Sequence, residues 1–320
     1  MTKLVQVAVA ILIKPNGEYL LASRPNGKGW AGWWEFPGGK IEAGETPEHA
    51  LIRESQEELG ITPTQIQPWI KRRYDYPATH DAEAKTVLLH FFFVHAWQGE
   101  LQAREGQQFA WQHPQKLNVT PVLPANAPIM QALSLPPVYA ISNVQEMGKP
   151  AFLQALKQQL DQGLQLLQIR EPQLDSAALT QLSEQVLQLC ASYDCRCLLN
   201  GSPEQAQQLG YQGVHLNSQR LLALAQKPDH LLVGASCHSR AELEQAQSLQ
   251  LDFALLSPVL PTKSHPEASG MGWEKFSETL NGLEIPVYGL GGMLPEHLSI
   301  ALAAGARGIA MQRACWSFLN

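Results

Sequence analysis

The sequence predicts an α/β protein of two tandem domains: an α/β/α sandwich over residues 1–133 and a (β/α)8 TIM barrel over residues 138–320. Three observations predict this. At 320 residues the chain is longer than one hydrophobic core usually serves. Before residue 134, apolar strand patterns flank a single acidic helix; after residue 137, eight short apolar runs alternate with amphipathic helices. Between them Ser134, Leu135, Pro136 and Pro137 read as a short, stiff linker.

Composition narrows the class. Apolar residues make up 45% and charged residues 16%, as in an ordinary soluble globular protein. A net charge of −6 argues against a nucleic-acid duplex as partner. Five cysteines, with no C-x-x-C pair and Cys195 only two residues from Cys197, predict reduced thiols and a cytoplasmic protein. The apolar run at 5–13 is too short to span a membrane. It leads into Asn16 and Gly17, which predicts a hairpin with a second strand at 18–23 and neither a membrane anchor nor a signal peptide.

A Gly/Trp-rich loop follows at 25–34, and Glu35, Phe36 and Pro37 lead into Gly38 and Gly39. Thr46 suits an N-cap, Pro47 the first helical position and Gly60 the stop, so a helix is predicted over 47–59. On that helix Leu51, Ile52, Ser55 and Leu59 share a core-facing arc. Glu54, Glu57 and Glu58 fill the adjacent arc and repel by a few tenths of a kcal/mol per pair, roughly the value for like charges at helical spacing. A divalent cation bound through oxygen would relieve that repulsion. Arg53 reaches Glu57 one turn on. Further strands are predicted at 69–76, 87–97 and 109–112, and a last helix at 129–133.

Gly39, Glu45, Arg53, Glu54, Glu57, Glu58, Gly60 and Ile61 match the Nudix box, G-x5-E-x7-R-E-U-x-E-E-x-G-U with U apolar. Ser55 departs from it, standing where the family has an apolar residue; a hydrogen bond to the carbonyl four residues back would satisfy it. Residues 3–133 resemble the MutT branch of Nudix hydrolases, which cleave 8-oxo-dGTP to the monophosphate and pyrophosphate. The likeness extends to EFPGGK at 35–40, YDYP at 74–77, REGQ at 104–107 and PANAP at 124–128. It implies a nucleoside triphosphate substrate and Mg²⁺, with Mn²⁺ as an alternative. Glu54, Glu57, Glu58 and the Gly38 carbonyl would be the metal ligands. Glu54 or Glu105 would be the base, supported by Arg53 and Glu45. Arg24, Glu35, Phe36, Pro37, Gly38, Lys40 and Asn126 would meet the nucleotide, Asn126 at the oxidised guanine edge.

In the second domain, strands are predicted at 138, 166, 197, 213, 231, 253, 286 and 308. Barrel sites lie at the C-terminal strand ends. Here those ends carry Gln168, Arg170, Asn200, His215, Ser236, His238, Pro258, Thr262, Ser264, His265, Gly291, Gly292, Gln312 and Arg313, with the Gly291–Gly292 pair as the usual phosphate cradle. QIR at 168–170, GVHL at 213–216, GASCHS at 234–239 and SPVLPT at 257–262 resemble thiamin phosphate synthase and its relative, the thiazole tautomerase. Departures are specific. Pro172 replaces a lysine, Gly201 and the 217–220 stretch lack the family's metal-binding aspartates, and Lys263, Ser264 and His265 alter a Thr-x-Thr-Lys motif. The resemblance therefore implies a phosphorylated small-molecule ligand and a barrel inactive as a synthase. Alternatives are tautomerase chemistry with His238 as proton shuttle, residual synthase activity, or a ligand sensor beside a Nudix domain acting on a thiamin diphosphate-like substrate.

Overall fold

The computed structural model describes residues 4–77, 84–262 and 269–316. The chain divides into two compact units, Met1–Ser134 and Leu135–Asn320. Among the described residues no helix is long and apolar enough to cross a membrane.

The first unit runs β1 (Leu4–Leu12), β2 (Tyr19–Ser23), β3 (Trp34–Glu35), β4 (Gly38–Lys40), α1 (Pro47–Leu59), β5 (Thr62–Tyr76), β6 (Lys85–Gln98), β7 (Phe109–Gln112) and α2 (Ala127–Leu133). Two sheets result, ordered β4-β1-β6-β5 and β3-β2-β7. Strand β1 is central, parallel to β6 and antiparallel to β4. Its alternation builds two cores, because successive side chains leave a strand on opposite faces. Ala8, Ala10 and Leu12 pack with Ala50, Leu51 and Leu59 of α1. Val9 and Ile11 pack with Ala125, Ile129 and Leu133 at α2.

Two expectations change here. The turn at Asn16 and Gly17 forms, with the Gly17 N–H donating to the Lys14 carbonyl at 2.9 Å. No hairpin grows from it: one bridge, Ile13 to Tyr19, joins the arms before β2 leaves for the other sheet. Both flanks of β1 are taken by β4 and β6, so β2 pairs with β3 and β7 instead. Strand β5 begins at Thr62, seven residues before the expected 69. Pro63 and Pro68 argue against a strand there; the pairing with β6 absorbs them through register shifts at 63–66 and 68–71.

The second unit is a closed, all-parallel barrel of β8 (Val138–Ile141), β9 (Leu166–Ile169), β10 (Arg196–Asn200), β11 (Gly213–Leu216), β12 (Leu232–Cys237), β13 (Phe253–Leu256), β14 (Val287–Gly289) and β15 (Gly308–Met311). Alternate residues fill it: Leu166 and Leu198 inward, Leu167, Ile169 and Leu199 outward against the helices. Tyr139, Phe253 and Tyr288 pack ring to ring inside at 5.3–5.9 Å. Gly234 makes room for them, since a Cβ there would lie 2.4 Å from the Phe253 ring. The segment read as a linker is largely absorbed. Leu135 is 1% exposed within the interior cluster. The Tyr288 hydroxyl donates to the Pro136 carbonyl at 2.6 Å, and the Ile309 N–H to the Pro137 carbonyl at 2.9 Å. Leu135 and Pro136 are thus buried against the barrel, while Pro137 stays exposed and joins it only through its carbonyl.

Candidate active sites

Helix α1 is built as its caps predict. Thr46 accepts from the His49 N–H at 3.2 Å, and Gly60 ends the helix at φ 71. Leu51, Ser55 and Leu59 are buried, which turns Glu54, Glu57 and Glu58 to one side. Arg53 ties that side together. Its Nε and Nη2 donate to the two Glu45 carboxylate oxygens at 3.0 and 2.9 Å, Nη1 to Glu54 at 2.7 Å and Glu57 at 3.1 Å, and Nη2 to the Lys40 carbonyl at 2.9 Å. The two glycines are needed where they stand. A Cβ on Gly38 would lie 2.1 Å from the Ala8 carbonyl oxygen, and one on Gly39 would lie 2.0 Å from the Glu54 carboxyl carbon.

Glu58 is the most perturbed carboxylate of the cluster. Burial, with Glu105, Glu54 and Glu35 nearby, pushes its carboxyl up to about 7, against the pull of Lys28. Lys28 Nζ lies 2.5 Å from Glu105 and 4.0 Å from Glu58. Gln107, 6% exposed, holds the Glu105 loop against the end of α1: its Nε2 donates to the Glu58 carbonyl at 2.8 Å and its Oε1 accepts from the Glu105 N–H at 2.9 Å. Arg104 donates to the Gln56 carbonyl at 2.7 Å, completing that end. The arrangement gathers Glu54, Glu58, Glu105 and Glu35, while Glu57 stands more exposed beside Arg53.

On the neighbouring side, Arg24 Nη1 lies 2.7 Å from Glu35, and Arg24 Nε donates to the Gly29 carbonyl at 2.6 Å. Burial pushes the Glu35 carboxyl up, with Arg24 opposing. Tyr76 feels both charges, and Trp30 packs 6.5 Å from it, forming an aromatic wall that sequence reasoning did not single out. Asn126 is 5% exposed and its side chain makes no capping bond to α2. Phe36 and Pro37 are both buried. Phe36 is buried between Tyr19 and Phe91, Pro37 is buried behind it, and the Pro37 carbonyl accepts from the Ala10 N–H. Lys40 is exposed, and its carbonyl serves Arg53. Ser55 takes its predicted buried place on the core-facing side of the helix.

In the barrel, a chain of hydrogen bonds crosses the interior. Asn200 Nδ2 donates to Gln168 Oε1 at 3.0 Å and Gln168 Nε2 to the Tyr139 hydroxyl at 3.2 Å; that hydroxyl lies 3.3 Å from His215 Nδ1, and His215 Nε2 lies 2.9 Å from Ser236 Oγ. Burial, then Arg170, pushes the His215 imidazole down to about 3, so it stays neutral. Arg170 itself is exposed. The Gly291–Gly292 turn has φ 101 and 62, and a Cβ on either would strike the Pro258 or Pro261 backbone at 2.9 or 2.5 Å. Gln312 bonds the Ser142 carbonyl at 3.2 Å, and Arg313 is turned to Glu146 at 2.9 Å instead of standing alone beside the glycines. Thr262 closes the described part of its loop; Ser264 and His265, with Lys263, lie outside the described residues. His238 lines a cavity of about 480 Å³ with Arg240, Met271 and Lys275, and among the described residues no other predicted barrel-site residue lines it. Its Nδ1 lies 3.0 Å from the Ser257 carbonyl. The Gln205 amide oxygen and the Leu199 side chain occupy the space beside Gly201, so a Cβ there would have to displace the Gln205 side chain. Asn217 caps its helix by accepting from the Arg220 N–H at 2.8 Å.

The NUDIX domain family model matches residues 3–133, and the Thiamine monophosphate synthase family model matches residues 138–315, more than half of the chain. The 8-oxo-dGTP diphosphatase of Escherichia coli K12 is 40% identical over 131 residues, covering 41% of this chain and 97% of that protein. The chain belongs to both families. It is a Nudix hydrolase domain joined to a thiamine monophosphate synthase-like barrel. A protein of Aquifex aeolicus provisionally named thiamine-phosphate synthase 2 is 34% identical over 180 residues, covering 56% of this chain and 96% of its own length. The CTP pyrophosphohydrolase of E. coli K12 is 38% identical over 135 residues, covering 41% of this chain and 91% of its own. Two Nudix relatives named for different bases thus stand at nearly equal identity.

Sequence reasoning passed over Lys28, Trp30, Tyr76 and, in the barrel, Tyr139 and Glu171, whose buried carboxylate accepts from the Val144 N–H at 2.8 Å. The Gly/Trp-rich loop was a signal for the first two. Tyr76 stood in the YDYP stretch at 74–77 without being assigned to the site; for Tyr139 and Glu171 the partner is remote in sequence, and no local pattern marks it.

Proposed function

We propose that the Nudix domain hydrolyses 8-oxo-dGTP to 8-oxo-dGMP and pyrophosphate with Mg²⁺, clearing an oxidised nucleotide and so avoiding mutation. The observation that carries this reading is the partly desolvated cluster of Glu54, Glu58, Glu105 and Glu35 at one helix flank, in which burial, then the neighbouring carboxylates, push the Glu58 carboxyl up to about 7. Such a cluster is short of positive charge. Its donors are all oxygen, which suits a hard ion such as Mg²⁺, or Mn²⁺ in its place. Glu54, Glu57, Glu58 and the Gly38 carbonyl would hold it. When bound, the ion neutralises phosphate charge and lowers the pKa of a coordinated water.

The protein's own groups do the rest. Arg53 fixes Glu54 and Glu57 by direct hydrogen bonds, with Glu45 and the Lys40 carbonyl holding the guanidinium from behind. The attacking water gives its proton to Glu54 or Glu105, the carboxylates flanking Glu58. Arg24, positioned by Glu35, meets the nucleotide, and Asn126 offers a buried amide to the base edge. A site built to hydrogen-bond a base rejects the base that lacks the partner group.

For the barrel we propose binding of a phosphorylated small molecule without synthase turnover. Gly201, Asn217 and Pro172 provide neither carboxylate nor ammonium for a departing pyrophosphate, and Gln205 fills the space beside Gly201. Five free thiols support a cytoplasmic setting.

The test is pyrophosphate release by the full chain from 8-oxo-dGTP, dGTP, CTP and thiamin diphosphate, with Mg²⁺ and with EDTA. The highest kcat/KM is expected for 8-oxo-dGTP. A higher value for CTP or thiamin diphosphate would replace the substrate, and turnover that survives EDTA would remove the metal.

A further inference from the structure

Outside both sites, three of the five cysteines meet at one point. Cys190, Cys195 and Cys197 have sulfur atoms within 4.8 Å of one another, and the residues are 1%, 5% and 0% exposed. The other two, Cys237 and Cys315, stand apart from this group. A tight turn builds the cluster. Cys190 lies in the last turn of the helix Ser176–Ala191 that precedes β10. The Tyr193 and Cys195 N–H groups both return to the Cys190 carbonyl, at 3.0 and 3.4 Å. Asp194 takes a left-handed φ of 53 to make the reversal. Cys195 and Cys197, two apart at the start of β10, then point to the same face, outward from the barrel toward that helix. The Cys197 N–H is held by the Gln212 side chain at 2.9 Å.

We propose that Cys190, Cys195 and Cys197 form a binding site for one soft, thiophilic d10 cation, Zn²⁺ or Cu⁺. Three sulfurs about 2.3 Å from a common ion lie about 3.8–4.0 Å from each other, so the cluster needs little movement to close on one. Thiolate donors select Cu⁺ and Zn²⁺ over Mg²⁺, and the site would not compete for the hard ion of the Nudix domain. Among the described residues no fourth His, Asp or Glu joins the three, so the coordination is trigonal or is completed by water. Arg196, between the strand cysteines, interacts electrostatically with Cys195 and offsets part of the thiolate charge. The ion would staple the helix before β10 to the strand itself. This site does not depend on the nucleotide reading.

The experiment uses the full chain, reduced and stripped of metal, titrated separately with Zn²⁺ and with Cu⁺ against a chromophoric competitor. One equivalent of at least one ion is expected to bind. Affinity should fall by more than about a hundredfold in Cys190→Ala and in Cys197→Ala, beyond what loss of a mere supporting group costs. Cys237→Ala should bind as the unmodified chain does. X-ray absorption on the loaded, unmutated protein should show three sulfur neighbours, a readout that does not depend on any variant folding. Binding no tighter than in Cys190→Ala, or a shell without three sulfurs, would overturn the assignment.

Discussion

Replacing Glu58 by Gln should abolish most turnover and yet stabilise the metal-free Nudix domain. Glu58 is buried and faces Glu105, Glu54 and Glu35, with Lys28 opposing them, and its carboxyl is raised from 4.5 to about 7. The side chain is 19% exposed, so solvent screens it little. A folded-state pKa raised above the unfolded value favours folding only while the group is protonated. Stability is therefore intact below about pH 4.5, falls as pH rises toward 7, and stays low above it. At about 1.4 kcal/mol per pH unit the loss at pH 8 is on the order of 3 kcal/mol. Glu58→Gln removes the charge and should recover much of it, roughly 10 °C in Tm for a domain of this size. The assay is thermal unfolding of the full chain in EDTA, at pH 5 and pH 8, followed by tryptophan fluorescence. Six of the eight tryptophans lie before residue 134, so the signal reports mainly the Nudix domain. With Mg²⁺ and substrate, the same variant should lose about a hundredfold or more in kcat, in the range of lost acid–base or metal catalysis. A variant no more stable than the parent at pH 8, with an unchanged pH slope, would refute the picture of a strained acidic cluster.

Asn126→Ala should narrow the kcat/KM ratio between 8-oxo-dGTP and dGTP while slow dGTP hydrolysis persists; an unchanged ratio would reduce Asn126 to a packing residue. Trp30→Ala, which removes one face of the aromatic wall beside Arg24 and Glu35, should raise KM severalfold and leave kcat nearly constant, as steady-state kinetics will show. Ser55→Leu adds apolar surface at a position of α1 that is 4% exposed and should stabilise the domain by roughly 1 kcal/mol in urea unfolding; a loss of stability would reveal a polar partner for the hydroxyl or no room for the larger side chain. The full chain, supplied with Mg²⁺, the pyrimidine diphosphate and the thiazole phosphate, should form no thiamin phosphate above background, while calorimetry should detect thiazole phosphate binding. Robust product would show that the barrel has rebuilt its metal site from other groups.

Much of this molecule is readable without coordinates, because its signals are local. Thr46, Pro47 and Gly60 delimit α1, and a spacing of three and four residues puts Glu54, Glu57 and Glu58 on one face whatever the helix packs against. Two-residue alternation in β1 and in the barrel strands likewise states which side chains go inward. Other features depend on which surfaces meet, and no local period encodes that. Strand β2 leaves its turn because both flanks of β1 are filled. Leu135 and Pro136 join the barrel because it offers them apolar neighbours that water does not. Phe36 goes to the core, Arg313 to Glu146, and Gln107 to the backbone of α1, each by contact with a residue 49 or more positions away or on another strand. The strain at Glu58 has the same origin. Its own helix supplies Glu54, but Glu35 and Glu105 come from separate loops and strands, and only their convergence in a partly dry space turns an acidic face into a site that calls for a cation.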